Sequence, residues 1–273
     1  MPELTALKAM ALGLIQGVGE FLPISSSGHL MLARRFFGLP DVEQMKAFDV
    51  LLHLATLLAI VIFFRHDLRR AWEAWLRRKG DADARWSRLI LVAMAPTGLL
   101  ALSLAHPIDA LFARCPWLVG AMLILAGTQN FLAAQRLNSG RNTRRMEQLT
   151  VRQALGIGFG QGLAVLFHGI SRSGTTMFCG SLCGLDRESA PRFSFLMAIP
   201  AIACAALVEV PKLFTLETPP LGSMVLGSLV AAVVGYGALS TVFRVVRAGR
   251  LGVFAWYCWT VGILAVLILG RGA

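Results

Sequence analysis

The sequence predicts an all-α polytopic membrane protein, an inverted repeat with about six transmembrane helices and two re-entrant helical hairpins. The composition indicates a membrane protein, because 56% of the 273 residues are apolar and only 15% are charged, against about 45–50% and 25% in soluble domains. Long apolar runs also alternate with short basic linkers, and the chain matches itself at a shift of about 145 residues. These observations exclude a disordered chain, a fibre and a water-soluble globular domain.

Six stretches are suited to crossing a bilayer, which takes about 20 mostly apolar residues. They are residues 47–64, 89–104, 117–132, 193–210, 221–243 and 251–269. Two further apolar regions, residues 4–37 and 149–185, are broken near the middle by Gly, Ser and Pro. Each is predicted to be a pair of short helices that enter and leave on the same side. Such a path is tolerated only where protein or a water-filled cavity covers it.

The distribution of basic residues predicts the orientation. The net charge of +11 would suggest a nucleic-acid partner in a soluble protein, but here the basic residues lie between spans, so none is predicted. Three linkers carry eight, five and three Lys or Arg residues and the two between them carry one each: residues 65–88, 136–152 and 244–250, against 106–116 and 211–220. The basic linkers are therefore predicted to be cytoplasmic and both termini external. Arg34 and Arg35 then fall on the outer side, against the trend.

The internal repeat divides a single membrane domain, residues 1–273, into halves of about residues 1–145 and 146–273. Gln16-Gly17 matches Gln161-Gly162 at the common shift, and residues 24–28 match residues 170–174 with one inserted residue. Each half contains one broken hairpin and three spans. Because three is odd, the halves must be inverted relative to each other, and inverted repeats with discontinuous helices place a site near the membrane midplane.

The two breaks contain the residues suited to chemistry. Gln16 and Glu20 are four residues apart and share one helix face. The serines that follow Pro23 can cap a second short helix, whose free N–H groups form an anion site. The second break, residues 168–176, repeats the Ser-x-Ser-Gly pattern with Arg172 inside it, and the arginine fork suits phosphate.

Glu20, His29 and Arg172 are ionisable groups at membrane depth, where each costs at least several kcal/mol unless it is paired or hydrated. A carboxylate, an imidazole, hydroxyls and a guanidinium together meet the needs of phosphoryl transfer: a nucleophile, a proton carrier and donors to the equatorial oxygens. The structural alternative is that Ser and Gly only permit close helix packing and that Glu20 and Arg172 form a buried ion pair.

At these residues the chain resembles the undecaprenyl-pyrophosphate phosphatase family of bacterial membrane enzymes, which is also linked to bacitracin resistance. Gln16 and Glu20 match the first family signature, followed by Phe-Leu-Pro-Ile-Ser-Ser-Ser-Gly-His over residues 21–29. Residues 169–176 match the second signature, Gly-x-Ser-Arg-Ser-x-x-Thr. The similarity runs nearly end to end. One position differs, because His168 stands where the family usually has proline.

The resemblance implies an enzyme that removes the terminal phosphate of a C55 polyprenyl diphosphate and regenerates the monophosphate carrier for peptidoglycan synthesis. It implies Ser26 as nucleophile, Glu20 and His29 as proton carriers and Arg172 as the phosphate clamp. Which of Ser25, Ser26 and Ser27 attacks stays open, as does the choice between a phosphoserine and direct attack by water. The substrate-binding residues it implies are Gln16, Ser25, Ser27, Gly28, Ser171, Ser173, Gly174 and Thr176.

The resemblance also implies dependence on Mg²⁺ or Ca²⁺, with Glu20 and Gln16 as oxygen ligands and with water and substrate phosphates completing the shell. The expected partners are the polyprenyl diphosphate and membrane lipids, and the expected location is the bacterial cytoplasmic membrane, with the active site open to the periplasm. A polyprenyl-phosphate transporter or flippase is the alternative, because inverted repeats and midplane breaks are also transporter features. A pure carrier, however, has no need of a Ser-Gly-His run beside a carboxylate.

Overall fold

The computed structural model describes residues 4–39, 43–76, 82–213 and 220–270. Over these ranges the regular secondary structure is helical, apart from an isolated bridge between Arg144 and Leu185, and turns and short loops join the helices. A short 3-10 turn, Met146–Gln148, precedes α7. The α-helices of the described residues are α1 (Ala6–Phe21), α2 (Ser26–Phe36), α3 (Glu43–Phe63), α4 (Arg65–Leu76), α5 (Ala82–Arg114), α6 (Leu118–Asn138), α7 (Val151–Leu166), α8 (Arg172–Leu182), α9 (Ser189–Leu213), α10 (Leu221–Arg247) and α11 (Val253–Leu269).

The predicted spans correspond to α3, α5, α6, α9, α10 and α11. The first five of these are long and apolar enough to cross a membrane, whereas the apolar helix α11 has only 17 residues. Helix α5 is much longer than predicted, because residues 82–88 and 105–114 continue it at both ends and neither Pro96 nor Pro107 ends it. The all-α polytopic membrane architecture is confirmed.

Both interrupted regions fold as pairs of helices, as predicted. In the first pair, α1 ends at Phe21 and α2 begins at Ser26. In the second pair, α7 ends at Leu166 and α8 begins at Arg172. The first helix of each pair begins in the same way, because a threonine hydroxyl caps it: Thr5 accepts from Lys8 N–H at 3.4 Å and Thr150 from Gln153 N–H at 3.3 Å.

The hairpins are held by close packing against helices of the opposite half, α1 against α10 and α7 against α5. A Cβ added to Gly13 would lie 2.1 Å from the carbonyl oxygen of Gly227, and one added to Gly158 would lie 1.9 Å from that of Ala93. Small residues let membrane helices approach this closely. Packing of each hairpin against a helix of the other half is expected if the two halves are inverted relative to each other. The division of the chain near residue 145 stays a prediction.

Arg34 is an exception to the predicted distribution of basic residues, and its ion pair explains why it is tolerated on the outer side. Arg34, near the end of α2, donates to Asp49 of α3 at 2.6 Å, and both side chains are partly buried. Its charge is therefore neutralised within the protein rather than presented to the membrane surface.

At the other end of the bundle, Asp67 of α4 accepts two hydrogen bonds from Arg192 of α9, at 2.9 and 3.0 Å, which fastens the short basic helix to the bundle.

Candidate active site

The two breaks meet inside the protein. A Cβ on Gly28, in the first turn of α2, would lie 3.0 Å from the Cα of Gly169 in the second break. The side chain of Asn130 on α6 supports the junction, because its Nδ2 donates to the carbonyl of Pro23 at 2.5 Å. The N-termini of α2 and α8, which come from opposite halves of the chain, therefore lie close together.

Each break is closed by a serine that caps the helix after it. Ser25 Oγ accepts from the N–H of Gly28 at 3.3 Å, and Ser171 Oγ accepts from the N–H of Gly174 at 3.2 Å. A capping side chain satisfies only part of the first-turn donors, so N–H groups remain for a ligand. The caps differ in backbone, because Ser25 has φ +71°, a positive value that no other non-glycine residue of the described chain adopts, whereas Ser171 has φ −75°.

Glu20 is the centre of the cluster that the breaks create. Its carboxylate is buried, with 7% of the residue exposed. Oε2 accepts from Ser26 Oγ at 2.9 Å and from Gln16 Nε2 at 3.1 Å. Oε1 pairs with the guanidinium of Arg172, which comes from the other break. A buried charge requires such partners, and the predicted meeting of Gln16, Glu20, Ser26 and Arg172 is found in the structure.

Two polar atoms in the cluster lack hydrogen-bond partners. They are Nη1 of Arg172 and Oε1 of Gln16, both buried. Buried donors and acceptors are normally paired, and each unpaired group in a native structure calls for an explanation. Because Nη2 already pairs with Glu20, Nη1 is a guanidinium nitrogen that can donate to an anionic ligand such as phosphate.

A cavity of about 540 Å³ extends from this cluster. Its deep end is formed by both breaks, through Glu20, residues 25–27, Ser171 and Arg172. Its walls are mostly small or aliphatic side chains of α3, α7 and α9, namely Val50, Ala164, Val165, Ala201, Ile202, Ala205 and Ala206. Its remaining polar lining comes from α3, α5 and α9: Lys46, Asp49, His53, His106, Asp109 and Glu209. A charged head group at the deep end and an aliphatic chain along the walls would both be accommodated.

His53 lines this cavity close to Glu20, although the sequence did not identify it as a site residue, because a lone histidine inside an apolar span suggests an interior side chain. Its Nδ1 lies 2.7 Å from the carbonyl of Asp49, so Nδ1 carries the proton and donates it to that oxygen. Its Nε2 lies 3.8 Å from Glu20 Oε2. No local pattern in the sequence marks it, because the packing of α3 against α1 brings its ring toward Glu20.

His29, predicted as a proton carrier beside Glu20, is not brought to the cluster. It belongs to α2, but its ring lies against Tyr257 of α11, with Nε2 2.9 Å from the tyrosine hydroxyl. Its Nδ1 is 2.8 Å from the carbonyl of Ser25. His29 is also absent from the described lining of the cavity.

The other predicted substrate contacts divide into two groups. Ser25, Ser27 and Ser171 line the cavity. Thr176 lies behind the second break, where its hydroxyl approaches Ser194 Oγ at 2.5 Å and the carbonyl of Arg172 at 2.9 Å. The remaining predicted contacts also support the breaks rather than line the cavity: Gln16, Gly28, Ser173 and Gly174.

His168, at the position of the family proline, lies near the open part of the cavity. Its Nε2 is 3.0 Å from Asp109 Oδ1, and its ring stands edge-on to Phe112 at 5.3 Å between ring centroids. The contact ties the second break to α5. It does not place a titratable group beside Glu20.

The ligand set for a divalent cation is small. Within the described ranges no group of three or more His, Cys, Asp or Glu side chains could hold a metal ion. Glu20 already accepts hydrogen bonds at both oxygens. Gln16 Oε1 is a buried carbonyl oxygen without a partner, and hard cations prefer such oxygen ligands. The predicted pair can therefore supply part of a cation's shell, with the rest coming from substrate and water.

Known proteins are similar to this chain over nearly its whole length. The model of the bacitracin resistance protein BacA family matches residues 9–264. A protein of Desulfosudis oleivorans named undecaprenyl-diphosphatase is 44% identical over 269 residues, covering 94% of this chain and 96% of its own. Proteins of the same name from Methanobrevibacter smithii and Rubrobacter xylanophilus are 35% and 39% identical, covering 96% and 97% of this chain and 96% and 99% of theirs.

Proposed function

The chain belongs to the bacitracin resistance protein BacA family, and on that premise we propose that it is an undecaprenyl-diphosphatase. It hydrolyses the terminal phosphate of undecaprenyl diphosphate and leaves undecaprenyl phosphate, the carrier lipid for peptidoglycan synthesis. The observation that carries this proposal is the cluster at the end of the cavity, where Ser26 donates to the Glu20 carboxylate at 2.9 Å and Arg172 offers an unpartnered buried nitrogen.

Ser26 is proposed as the nucleophile. Its hydroxyl already donates to Glu20, which is the geometry that a general base needs, with heavy atoms about 2.6–3.2 Å apart. The neighbouring hydroxyls have other contacts, because Ser25 Oγ accepts from Gly28 N–H at 3.3 Å and lies 3.4 Å from Ser27 Oγ. Glu20 takes the serine proton as the Ser26 oxygen bonds to the terminal phosphorus. The bond from that phosphorus to the bridging oxygen breaks, Glu20 passes the serine proton to that oxygen, and the prenyl monophosphate leaves.

The covalent phosphate is then released by water. Water attacks the phosphoserine phosphorus, Glu20 accepts a proton from it, and the bond to Ser26 Oγ breaks with return of a proton to the serine. Inorganic phosphate is the second product. One carboxylate can therefore serve both halves of the reaction, because it gives up each proton before it accepts the next.

Arg172 is proposed as the phosphate clamp. Nη2 pairs with Glu20 while Nη1 has no partner, so one guanidinium can bind the carboxylate and a phosphoryl oxygen together. The N-termini of α2 and α8 add backbone N–H groups and their partial positive charge. Donors fixed before the reaction stabilise the charge on the equatorial oxygens at little cost in reorganisation.

A divalent cation, Mg²⁺ or Ca²⁺, is proposed to bind at Gln16 Oε1 and Glu20 together with the substrate phosphates. When bound, it would screen the negative charge of the diphosphate against the carboxylate. The unpartnered Gln16 oxygen supports this assignment. The proton transfer from Ser26 and the clamp at Arg172 are assigned to the chain's own groups.

The protein is proposed to lie in the cytoplasmic membrane with its cavity open to the periplasm. The cavity is lined by the first part of α3 and the last parts of α5 and α9, at the end opposite the basic linkers, which are retained in the cytoplasm. Reporters fused after Gly140 and after Gly270 test this. We expect a cytoplasmic signal from the first and a periplasmic signal from the second. Signals from the same side would contradict the orientation.

The proposed function is tested by phosphate release from undecaprenyl diphosphate with the purified protein in detergent. We expect release that depends on the Glu20–Ser26–Arg172 cluster and leaves undecaprenyl monophosphate. Binding of the lipid without release would instead support a carrier.

A further inference from the structure

His29, which the sequence analysis expected to carry protons together with Glu20, has both ring nitrogens engaged in hydrogen bonds. A carbonyl oxygen only accepts, so the 2.8 Å contact between Nδ1 and the carbonyl of Ser25 requires the proton on Nδ1. The neutral ring then keeps its lone pair on Nε2, which accepts from the hydroxyl of Tyr257 at 2.9 Å. The two rings are also stacked, with centroids 5.5 Å apart and planes at 15°. No lone pair remains to accept a proton from Ser26.

The oxygen that His29 binds belongs to the strained residue of the site. Ser25 adopts φ +71° and ψ 96°, and such conformations persist in non-glycine residues only where the surroundings hold them. Its carbonyl accepts from the backbone N–H of His29 at 3.2 Å as well as from the ring at 2.8 Å. This carbonyl is part of the peptide that joins Ser25 to Ser26, so fixing it orients the residue that carries the nucleophile.

The second break supplies an internal comparison. Its cap, Ser171, is relaxed at φ −75°. The residue four positions later is Thr175, whose N–H bonds to the Ser171 carbonyl at 2.8 Å. The Thr175 hydroxyl donates to Gln129 of α6 at 2.8 Å rather than to the cap. A ring held by a neighbouring helix is therefore found at the strained turn, the one beside the proposed nucleophile.

We propose that His29 and Tyr257 are positioning residues that hold the Ser25–Ser26 peptide in its strained conformation, with Tyr257 fixing the ring and His29 fixing the carbonyl. The inference rests on the proposed function, because its readout is phosphate release. Neither side chain carries a proton in the reaction. Glu20 alone exchanges protons with Ser26.

The test replaces His29 with residues that separate the two roles. Asparagine places an amide N–H close to the position of Nδ1 but cannot titrate, whereas alanine removes both functions. We expect His29→Ala to lower kcat by about 100-fold, the scale of a small displacement of reacting groups, and His29→Asn to recover most of that loss. The pH profile of His29→Asn should keep the shape of the unmodified enzyme. Equal loss in the two variants, or loss of one limb of the profile in His29→Asn, would overturn the inference.

The chain has two tyrosines, which provides a matched control. Tyr257 and Tyr236 are both 43% exposed. Tyr257→Phe removes only the hydroxyl bound to His29, so kcat should fall by about tenfold with KM nearly unchanged, as for loss of one hydrogen bond. Tyr236→Phe should leave both unchanged. Equal kcat values in the two variants would overturn the role of Tyr257.

Two further measurements separate the possible failures. Gel filtration and thermal unfolding in detergent should give the same values for the Asn and Phe variants as for the unmodified chain, which attributes the kcat changes to the site. No phosphate release by the unmodified chain would overturn the proposed function and this inference with it. Release that is equally lost in His29→Asn and His29→Ala would overturn the inference alone.

Discussion

The two breaks have the same local design and different chemistry. In each, a serine caps the following helix through the N–H three residues on, and a glutamine lies on the helix before it. The first helical residue is Ser26 in one break and Arg172 in the other. Four residues after Gln16 stands Glu20, whereas Val165 stands four residues after Gln161. One break therefore contains the proposed nucleophile and base, and the other contains the proposed clamp.

The comparison indicates that the backbone of each break forms a helix N-terminus suited to an anion, and that a few side chains determine the chemical role of each break. Both breaks bring a helix N-terminus to the cavity, which favours a phosphate group in either case. The proposed catalytic pair is found only in the first break, where the Ser26 hydroxyl donates to the Glu20 carboxylate. The strained φ of Ser25 belongs to the same side. The two breaks thus share one backbone design, and the side chains that differ between them make the site asymmetric.

The largest expected effect comes from removing the hydroxyl of the first break. Ser26→Ala should lower the rate of phosphate release by on the order of 10⁴-fold or more, as removal of a nucleophile does in other hydrolases. Ser27→Ala is the matched control, because Ser27 also lines the cavity and its hydroxyl is not among the donors to Glu20. It should retain most of the activity. Comparable losses in both variants would break the assignment of the nucleophile.

The next largest effect concerns the clamp of the second break. Arg172→Lys keeps the charge at membrane depth but replaces a planar fork with a point charge, so phosphate release should fall by roughly 10²–10³-fold. Arg172→Ala should be no better. Phosphate release and lipid binding are measured on both variants. Recovery of most activity by lysine would reduce the second break to simple electrostatic attraction and would favour a carrier.

A smaller loss is expected when the base keeps its shape and loses its charge. Glu20→Gln should slow turnover by about 100-fold, the scale of acid–base groups, because the amide cannot take the Ser26 proton. Gln16→Ala should cost less, since Gln16 supports Glu20 from 3.1 Å away. Steady-state phosphate release measures both. Activity of Glu20→Gln within a few-fold of the unmodified chain would assign Glu20 to structure.

The smallest effect is on stability and tests the turn of the second break. Gly169 has φ +104°, and a Cβ there would lie 2.5 Å from the carbonyl oxygen of Val119. Gly169→Ala should therefore lower the free energy of unfolding by about 2–3 kcal/mol. At Gly156, on an open face of α7, a Cβ meets no atom within 4 Å, so Gly156→Ala should raise it by roughly 1 kcal/mol. Unfolding in detergent compares them, and equal shifts would contradict the account.

The sequence predicted the all-α membrane architecture well because the length of each apolar run corresponds to the thickness of a bilayer. It also predicted that Glu20, Ser26 and Arg172 would meet, since the repeat brings both breaks to one depth. The histidines were harder. His29 and His53 are both four residues from a cavity residue, Ser25 and Asp49, but only tertiary packing decides which ring faces Glu20. The Tyr257 hydroxyl binds His29 Nε2 at 2.9 Å, on the side away from Glu20. Helix α3 places His53 Nε2 3.8 Å from Glu20 Oε2. Helix packing of that kind leaves no local pattern.

The most direct test of the different roles of the two breaks is to find where phosphate is bound during turnover. The protein is mixed with undecaprenyl diphosphate, quenched with acid within the first turnover and digested, and the phosphorylated peptides are sequenced by mass spectrometry. The account predicts phosphate on Ser26 and on no serine of the second break, with no phosphopeptide from Ser26→Ala. Phosphate on Ser171 or Ser173, or continued release without any phosphoserine, would contradict it.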